Sequence, residues 1–189
     1  MHSLQTAIPC LRVSVIGTSC SGKTTLARRI SQACAIPHFE LDAIHWGSNW
    51  TELSVEDFRQ AVAQVTAGEA WAIDGNYHVV RDIVWSRATH VAWLNLPFTR
   101  VFWQALTRTV RRVAMQEELW AGNRETARQV IFDRESILWW VLRTYRRRRR
   151  EYPQLFREPQ YAHLKVYELR SADQTQAMLE ELVAYQTID

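Results

Sequence analysis

The segment Gly17-Thr18-Ser19-Cys20-Ser21-Gly22-Lys23-Thr24 has the spacing G-x-x-x-x-G-K-[ST], and each fixed position has a chemical reason. Glycine permits the sharp turn and close backbone approach that let successive N–H groups face an anion. A lysine at the head of the following helix brings its ammonium to the outer phosphates of a nucleoside triphosphate, and the hydroxyl after it can ligate magnesium. Gly17 to Thr25 therefore reads as a phosphate-binding loop for ATP and Mg2+, with Lys23 on the transferred phosphoryl group and Thr24 on the metal.

Such a loop needs carboxylates opposite it. Asp74, in Trp71-Ala72-Ile73-Asp74-Gly75-Asn76-Tyr77, ends a short apolar run, where ligands of parallel sheets collect, and is the candidate for the magnesium shell. Asn76 and Tyr77 follow as candidate pocket residues. Asp42, in Phe39-Glu40-Leu41-Asp42-Ala43-Ile44-His45-Trp46, is placed to take a proton from a substrate hydroxyl or to anchor a magnesium water. Trp46, Trp50 and Trp120 are expected to border the pocket or its cover, whereas Trp71, Trp85, Trp93, Trp139 and Trp140 read as core.

The elements that must position these residues follow from periodicity. Leu11 to Ile16 is β-branched and stopped by Gly17, a strand; Lys23 to Cys34 carries Leu26, Ala27, Ile30 and Ala33 at helical spacing. Further strands are expected over 37–41, 71–73, 90–94 and 164–169, and helices over 54–67 (with Ser54 as cap), 79–87, 99–116 and 173–185. Between the fourth and fifth strands, residues 117–125 break the helical pattern at Gly122-Asn123, giving a lid at about 116–128 and a second long helix over 126–150. Alternating strands and helices predict a single α/β domain, residues 1–189, built on a doubly wound parallel sheet.

At 189 residues with 47% apolar and 23% charged side chains, the composition is that of a globular domain and excludes a disordered or fibrous chain. No apolar run approaches the roughly 20 residues of a membrane span, and Met1 to Pro9 lacks a basic start followed by an apolar stretch, so neither a membrane nor an export signal is expected. Cys10, Cys20 and Cys34 show no metal-ligand spacing and suit a reducing cytoplasm. The net charge of +3 is uneven: 13 arginines face five acids between Arg100 and Arg150, and only two of the 23 basic residues are lysine. Arginine's planar fork suits phosphate oxygens, so a phosphorylated ligand or a nucleic acid is the expected partner. Five consecutive arginines, Arg146 to Arg150, spread around a helix and cannot all face one groove, which argues against sequence-specific DNA binding.

The phosphate loop, Leu41-Asp42-Ala43-Ile44-His45-Trp46, Ile73-Asp74-Gly75-Asn76-Tyr77, Gly122-Asn123-Arg124-Glu125 and the arginine run together resemble the FlaR-type "topology modulation" proteins, bacterial relatives of adenylate kinase and gluconate kinase. The resemblance covers about Arg12 to Leu182. It implies a five-stranded sheet of order 2-3-1-4-5 and a lid whose arginines close over the transferred phosphate. Arg108 and Arg112, and Arg124 and Arg128 across the lid, are the matching positions. Arg81 matches a substrate-anchoring arginine after the third strand. The fourth strand ends Trp93-Leu94-Asn95, where relatives commonly carry an aspartate.

The combined expectation is an ATP-dependent phosphotransferase acting on a small hydroxyl- or phosphate-bearing acceptor. The alternatives are a nucleotide-binding regulator associated with DNA topology and a kinase of nucleic-acid ends.

Overall fold

The computed structural model describes residues 10–115, 121 and 137–187. Five strands form one parallel sheet: β1 (Arg12–Gly17), β2 (His38–Glu40), β3 (Trp71–Asp74), β4 (His90–Leu94) and β5 (Lys165–Leu169), in the order β2-β3-β1-β4-β5. This is the order that the resemblance implied. Among the described residues, seven α-helices connect and cover the strands: α1 (Lys23–Cys34), α2 (Leu41–His45), α3 (Val55–Val65), α4 (Arg81–Arg87), α5 (Phe98–Met115), α6 (Ile137–Leu155) and α7 (Ala172–Thr187).

The central strands are apolar at successive positions because both faces are covered. Val13, Val15, Ala72, Ala92 and Leu94 point to the face where Leu26 and Ile30 of α1 meet Met178 and Leu182 of α7. Ile16, Ile73, Val91 and Trp93 point to the other, against Phe58 and Val62 of α3, Val84 and Trp85 of α4, and Tyr152 of α6. Trp71, Trp85 and Trp93 are buried here, as expected of core tryptophans, while Trp103 on α5 is 62% exposed. A third, smaller cluster joins Leu96, Val101, Ala105 and Tyr145, so α5 and α6 pack together beside the sheet.

Several boundaries differ from the sequence expectation. β2 is shorter than 37–41, because Leu41 turns into the core and opens α2; Asp42 consequently sits in the first turn of a short helix rather than beyond a strand. The helix expected over 79–87 is divided: His78–Val80 forms a 3₁₀ turn and α4 begins at Arg81. α6 runs past Arg150 to Leu155, with Pro153, which has no N–H to donate to the preceding turn, inside its final turn. Ser54 caps α3 as anticipated, accepting from the Asp57 N–H at 3.1 Å. The lid expected at 116–128 lies outside the described residues apart from Ala121, as do the first turns of the helix expected from 126.

Candidate functional site

The phosphate loop joins the C-terminal end of the central strand β1 to α1. Gly17 has φ +153°, and a Cβ there would stand 2.8 Å from Ser21 Oγ and 2.9 Å from the Leu94 carbonyl oxygen, so the position admits only glycine. Gly22 has φ +93° and ends the loop as the N-cap of α1, with no side-chain capping bond and no acidic residue in the first turn. The amino end of α1 thus has no side-chain cap, and its N–H groups and helix dipole favour an anion. Cys20 also adopts a positive φ, +64°, and its side chain packs against the Leu96–Tyr145 cluster. Thr18 and Ser21 are buried, Ser19 is partly so, and Thr25 faces solvent.

Lys23, at the first position of α1, donates to the Thr18 carbonyl at 3.3 Å. Burial of its ammonium lowers its pKa, the nearby Arg148 guanidinium lowers it further, and Asp42 and Asp74 oppose the shift. Arg148, from α6, is 7% exposed and donates from Nη1 to the Gly17 carbonyl at 3.2 Å; burial is likewise the main cause of its lowered pKa. Two cations therefore share one partly desolvated space beside the loop, an arrangement that favours an anion between them.

The sheet register sets the carboxylates. Asp74 pairs with Val15 of β1 and with Glu40 of β2. Its buried carboxylate accepts from the Thr24 hydroxyl through Oδ2 at 2.8 Å, while the His38 ring nitrogen Nε2 lies 2.8 Å from Oδ1. Among the described residues no group of three or more His, Cys, Asp or Glu side chains converges. Thr24 and Asp74 are hard oxygen donors. They fit Mg2+, which takes one or two protein oxygens and completes its shell with phosphate and water; they do not fit a metal that needs a full protein cage.

On the other flank, Tyr77 donates its hydroxyl to Asp42 Oδ1 at 2.7 Å and is itself hydrogen-bonded by Trp46. Burial and the Asp42 charge push the Tyr77 phenol far up, so it remains a donor. The rings of His45 and Phe58 pack against Tyr77, at 4.8 and 5.1 Å between centroids. Arg81 opens α4, pairs with Glu151 at 3.1 Å and lies over the Trp85 ring at 5.5 Å. Arg81, Tyr77, Asn76 and Tyr152 line one cleft at the C-terminal edge of the sheet.

Asn76 is a structural clamp more than a free pocket group. Its Oδ1 accepts from the Gly17 N–H at 3.1 Å and from Tyr152 at 2.9 Å, and its Nδ2 donates to the Gly17 carbonyl. Asn95, just after β4, donates to Glu168 on β5.

The structure brings Lys23, Thr24, Asp42, Asp74, Asn76, Tyr77 and Arg81 to one edge of the sheet. Arg108, on α5, lines a groove with Gln104, Thr107 and Arg111. Arg124, Arg128 and the side chain of Arg112 lie outside the described residues. Sequence reasoning did not single out His38, Tyr152 or Arg148. Arg148 is masked by its four arginine neighbours, and only the phase set by buried Thr144, Tyr145 and Tyr152 distinguishes it.

No protein-family model and no curated protein matches the chain. Among solved structures it resembles a shikimate kinase from Acinetobacter baumannii in complex with shikimate, at TM-score 0.55 and 14% identity over 94% of this chain and 96% of that one. A gluconokinase from Sinorhizobium meliloti 1021 aligns at TM-score 0.53 and 17% identity over 96% of both chains. A shikimate kinase from Bacteroides thetaiotaomicron aligns at TM-score 0.53 and 14% identity, over 94% of this chain and 99% of that one. The chain shares the fold of these solved structures, a parallel sheet of order β2-β3-β1-β4-β5 with helices on both faces.

Proposed function

We propose that the protein transfers the γ-phosphoryl group of ATP to a small hydroxyl- or phosphate-bearing acceptor, and that it belongs with the FlaR-type topology-modulation proteins. The observation that carries the reading is the convergence of Lys23 and Arg148 on the phosphate loop, with Asp42 and Asp74 as the acids that act on Lys23. In this reading the open N-terminus of α1 and the loop N–H groups bind the phosphates. Lys23 and Arg148 stabilise the charge that spreads over the transferred group. Thr24, backed by Asp74, would hold Mg2+, which would supply charge neutralisation at the phosphates. Asp42, fixed through Oδ1 by Tyr77, offers its other oxygen to the acceptor hydroxyl and takes its proton. Arg81 at the rim of the cleft favours an acceptor that carries an anionic group.

The test is ADP formation from MgATP against a panel of nucleoside monophosphates, sugars, hydroxy acids and oligonucleotide ends. Acceptor-dependent turnover is expected, abolished by Lys23→Ala. With Asp42→Asn it should fall about 100-fold or more while ATP binding persists, the scale of a positioned general base. ATP binding without turnover on any acceptor, together with tight DNA binding, would replace the kinase by a nucleotide-dependent regulator.

A further inference from the structure

We infer that His38 is a positioning residue for the metal half of the nucleotide site. It acts by fixing the Asp74 carboxylate so that Thr24 presents its oxygen to Mg2+; the inference rests on the kinase reading above. A hydrogen bond is the contact that matters. An ionised carboxylate only accepts, so the His38 nitrogen 2.8 Å from Asp74 Oδ1 carries the hydrogen, and the Thr24 hydroxyl donates to Oδ2 at 2.8 Å. Each oxygen of a carboxylate that is 3% exposed thereby has a designated donor. With its hydrogen committed to Asp74, the Thr24 oxygen is left with lone pairs only, the form in which a hydroxyl ligates a hard cation.

The placement comes from the sheet. His38 opens the edge strand β2, two residues before Glu40, whose register partner is Asp74, and its side chain reaches along the strand to the carboxylate. Edge strands have no neighbour on their outer side, so packing does not demand an imidazole there, and the 12% exposed side chain is engaged instead with a group at the heart of the loop. Without that bond, Asp74 can rotate about its terminal torsion, which is broad for aspartate, and let go of Thr24. Partners of this kind behind metal ligands typically change metal affinity by about 10- to 100-fold when removed.

The experiment measures the ATP dissociation constant by calorimetry in the presence and absence of Mg2+, and again with Mn2+, for the full chain and for three variants. His38→Leu and His38→Asn remove the donor, the second because its amide is too short to reach. His38→Gln places an N–H near the position of Nε2. Thermal melting without ligand is recorded alongside. The expected result is that metal-free ATP affinity changes little in every variant, while the melting temperature falls in His38→Leu and His38→Asn, which leave a buried carboxylate oxygen without its donor, and is largely kept in His38→Gln. The gain in affinity conferred by the metal should fall about 10-fold or more in His38→Leu and His38→Asn and be retained in His38→Gln. A full metal-dependent gain in His38→Leu or His38→Asn overturns the inference, as does a loss in His38→Gln equal to theirs, which would assign the effect to ring packing. If the unmodified protein's ATP affinity is indifferent to both metals, the kinase reading falls together with this one. Wild-type metal dependence that survives in the variants sinks this inference alone.

Discussion

Arg148 and Gly17, 131 residues apart in the chain, meet where the Arg148 guanidinium donates to the Gly17 carbonyl at 3.2 Å. The same carbonyl accepts from Asn76, so the first residue of the phosphate loop is tied both to the segment that follows β3 and to α6. A buried cation resting on a neutral carbonyl contributes little to stability, because its desolvation is repaid only in part.

Arg148→Met is therefore expected to leave the melting temperature unchanged or raise it, while ATP turnover falls by about 10²- to 10³-fold, the range for removing one preorganised charge stabiliser. Thermal melting and steady-state kinetics on the same sample check the opposite signs. Arg148→Lys keeps the charge but loses the fork, and should recover only part of the rate.

Gly75 links Asp74 to Asn76 with φ +148°, and a Cβ there would lie 2.6 Å from Leu41 Cβ. Gly75→Ala is expected to destabilise the fold by about 1–3 kcal/mol, from overpacking and backbone strain together. Urea unfolding measures this directly. An unchanged midpoint would mean that the Leu41 end of α2 yields freely.

His90, buried between β1 and β5, has its pKa lowered to about 4, first by burial and then by Lys165, against the pull of Glu181. The unfolded chain takes up this proton near pH 6.5. Between about 6.5 and 4 the unfolded state holds more protons than the folded one, so stability is complete above that window and declines as the pH drops through it. Melting curves across pH 4–7 should show the slope, and His90→Gln should flatten it.

Of the five consecutive arginines on α6, Arg148 is buried whereas Arg146, Arg147, Arg149 and Arg150 are exposed. Any duplex DNA affinity is expected to be indifferent to sequence and to fall steeply between about 50 and 200 mM salt. Arg146→Gln with Arg150→Gln should weaken it, and Arg148→Met should not. Fluorescence anisotropy with matched and scrambled duplexes reads both.

How much of this was legible beforehand depends on whether the deciding interaction is local. The strand, loop and helix around Lys23 were readable because glycine conformations, apolar spacing and a motif coincide within 24 residues of chain, Leu11 to Cys34. Asp74 was placed at a strand end by the apolar run that precedes it, and the covered faces of the sheet followed from unbroken apolar strands. The bonds within the site were not readable. His38 meets Asp74 only through the register of β2 on β3, and Arg148 is chosen from its neighbours only by the phase at which α6 packs. Leu41 ended β2 early because its side chain fills the space under Gly75, a contact between segments about a helix and a strand apart.

α1 starts at Gly22 with no side-chain cap and no acid in its first turn, so in the proposed kinase the phosphate of a bound nucleotide would complete the helix. Whatever phosphate fills that position becomes part of the native state's thermodynamics: occupancy at 100 times the dissociation constant adds about 2.7 kcal/mol to the unfolding free energy. In a cell this would make the lifetime of the protein a function of nucleotide supply. A pool that drains would leave more of the chain unfolded and open to proteolysis, before any change in the amount synthesised.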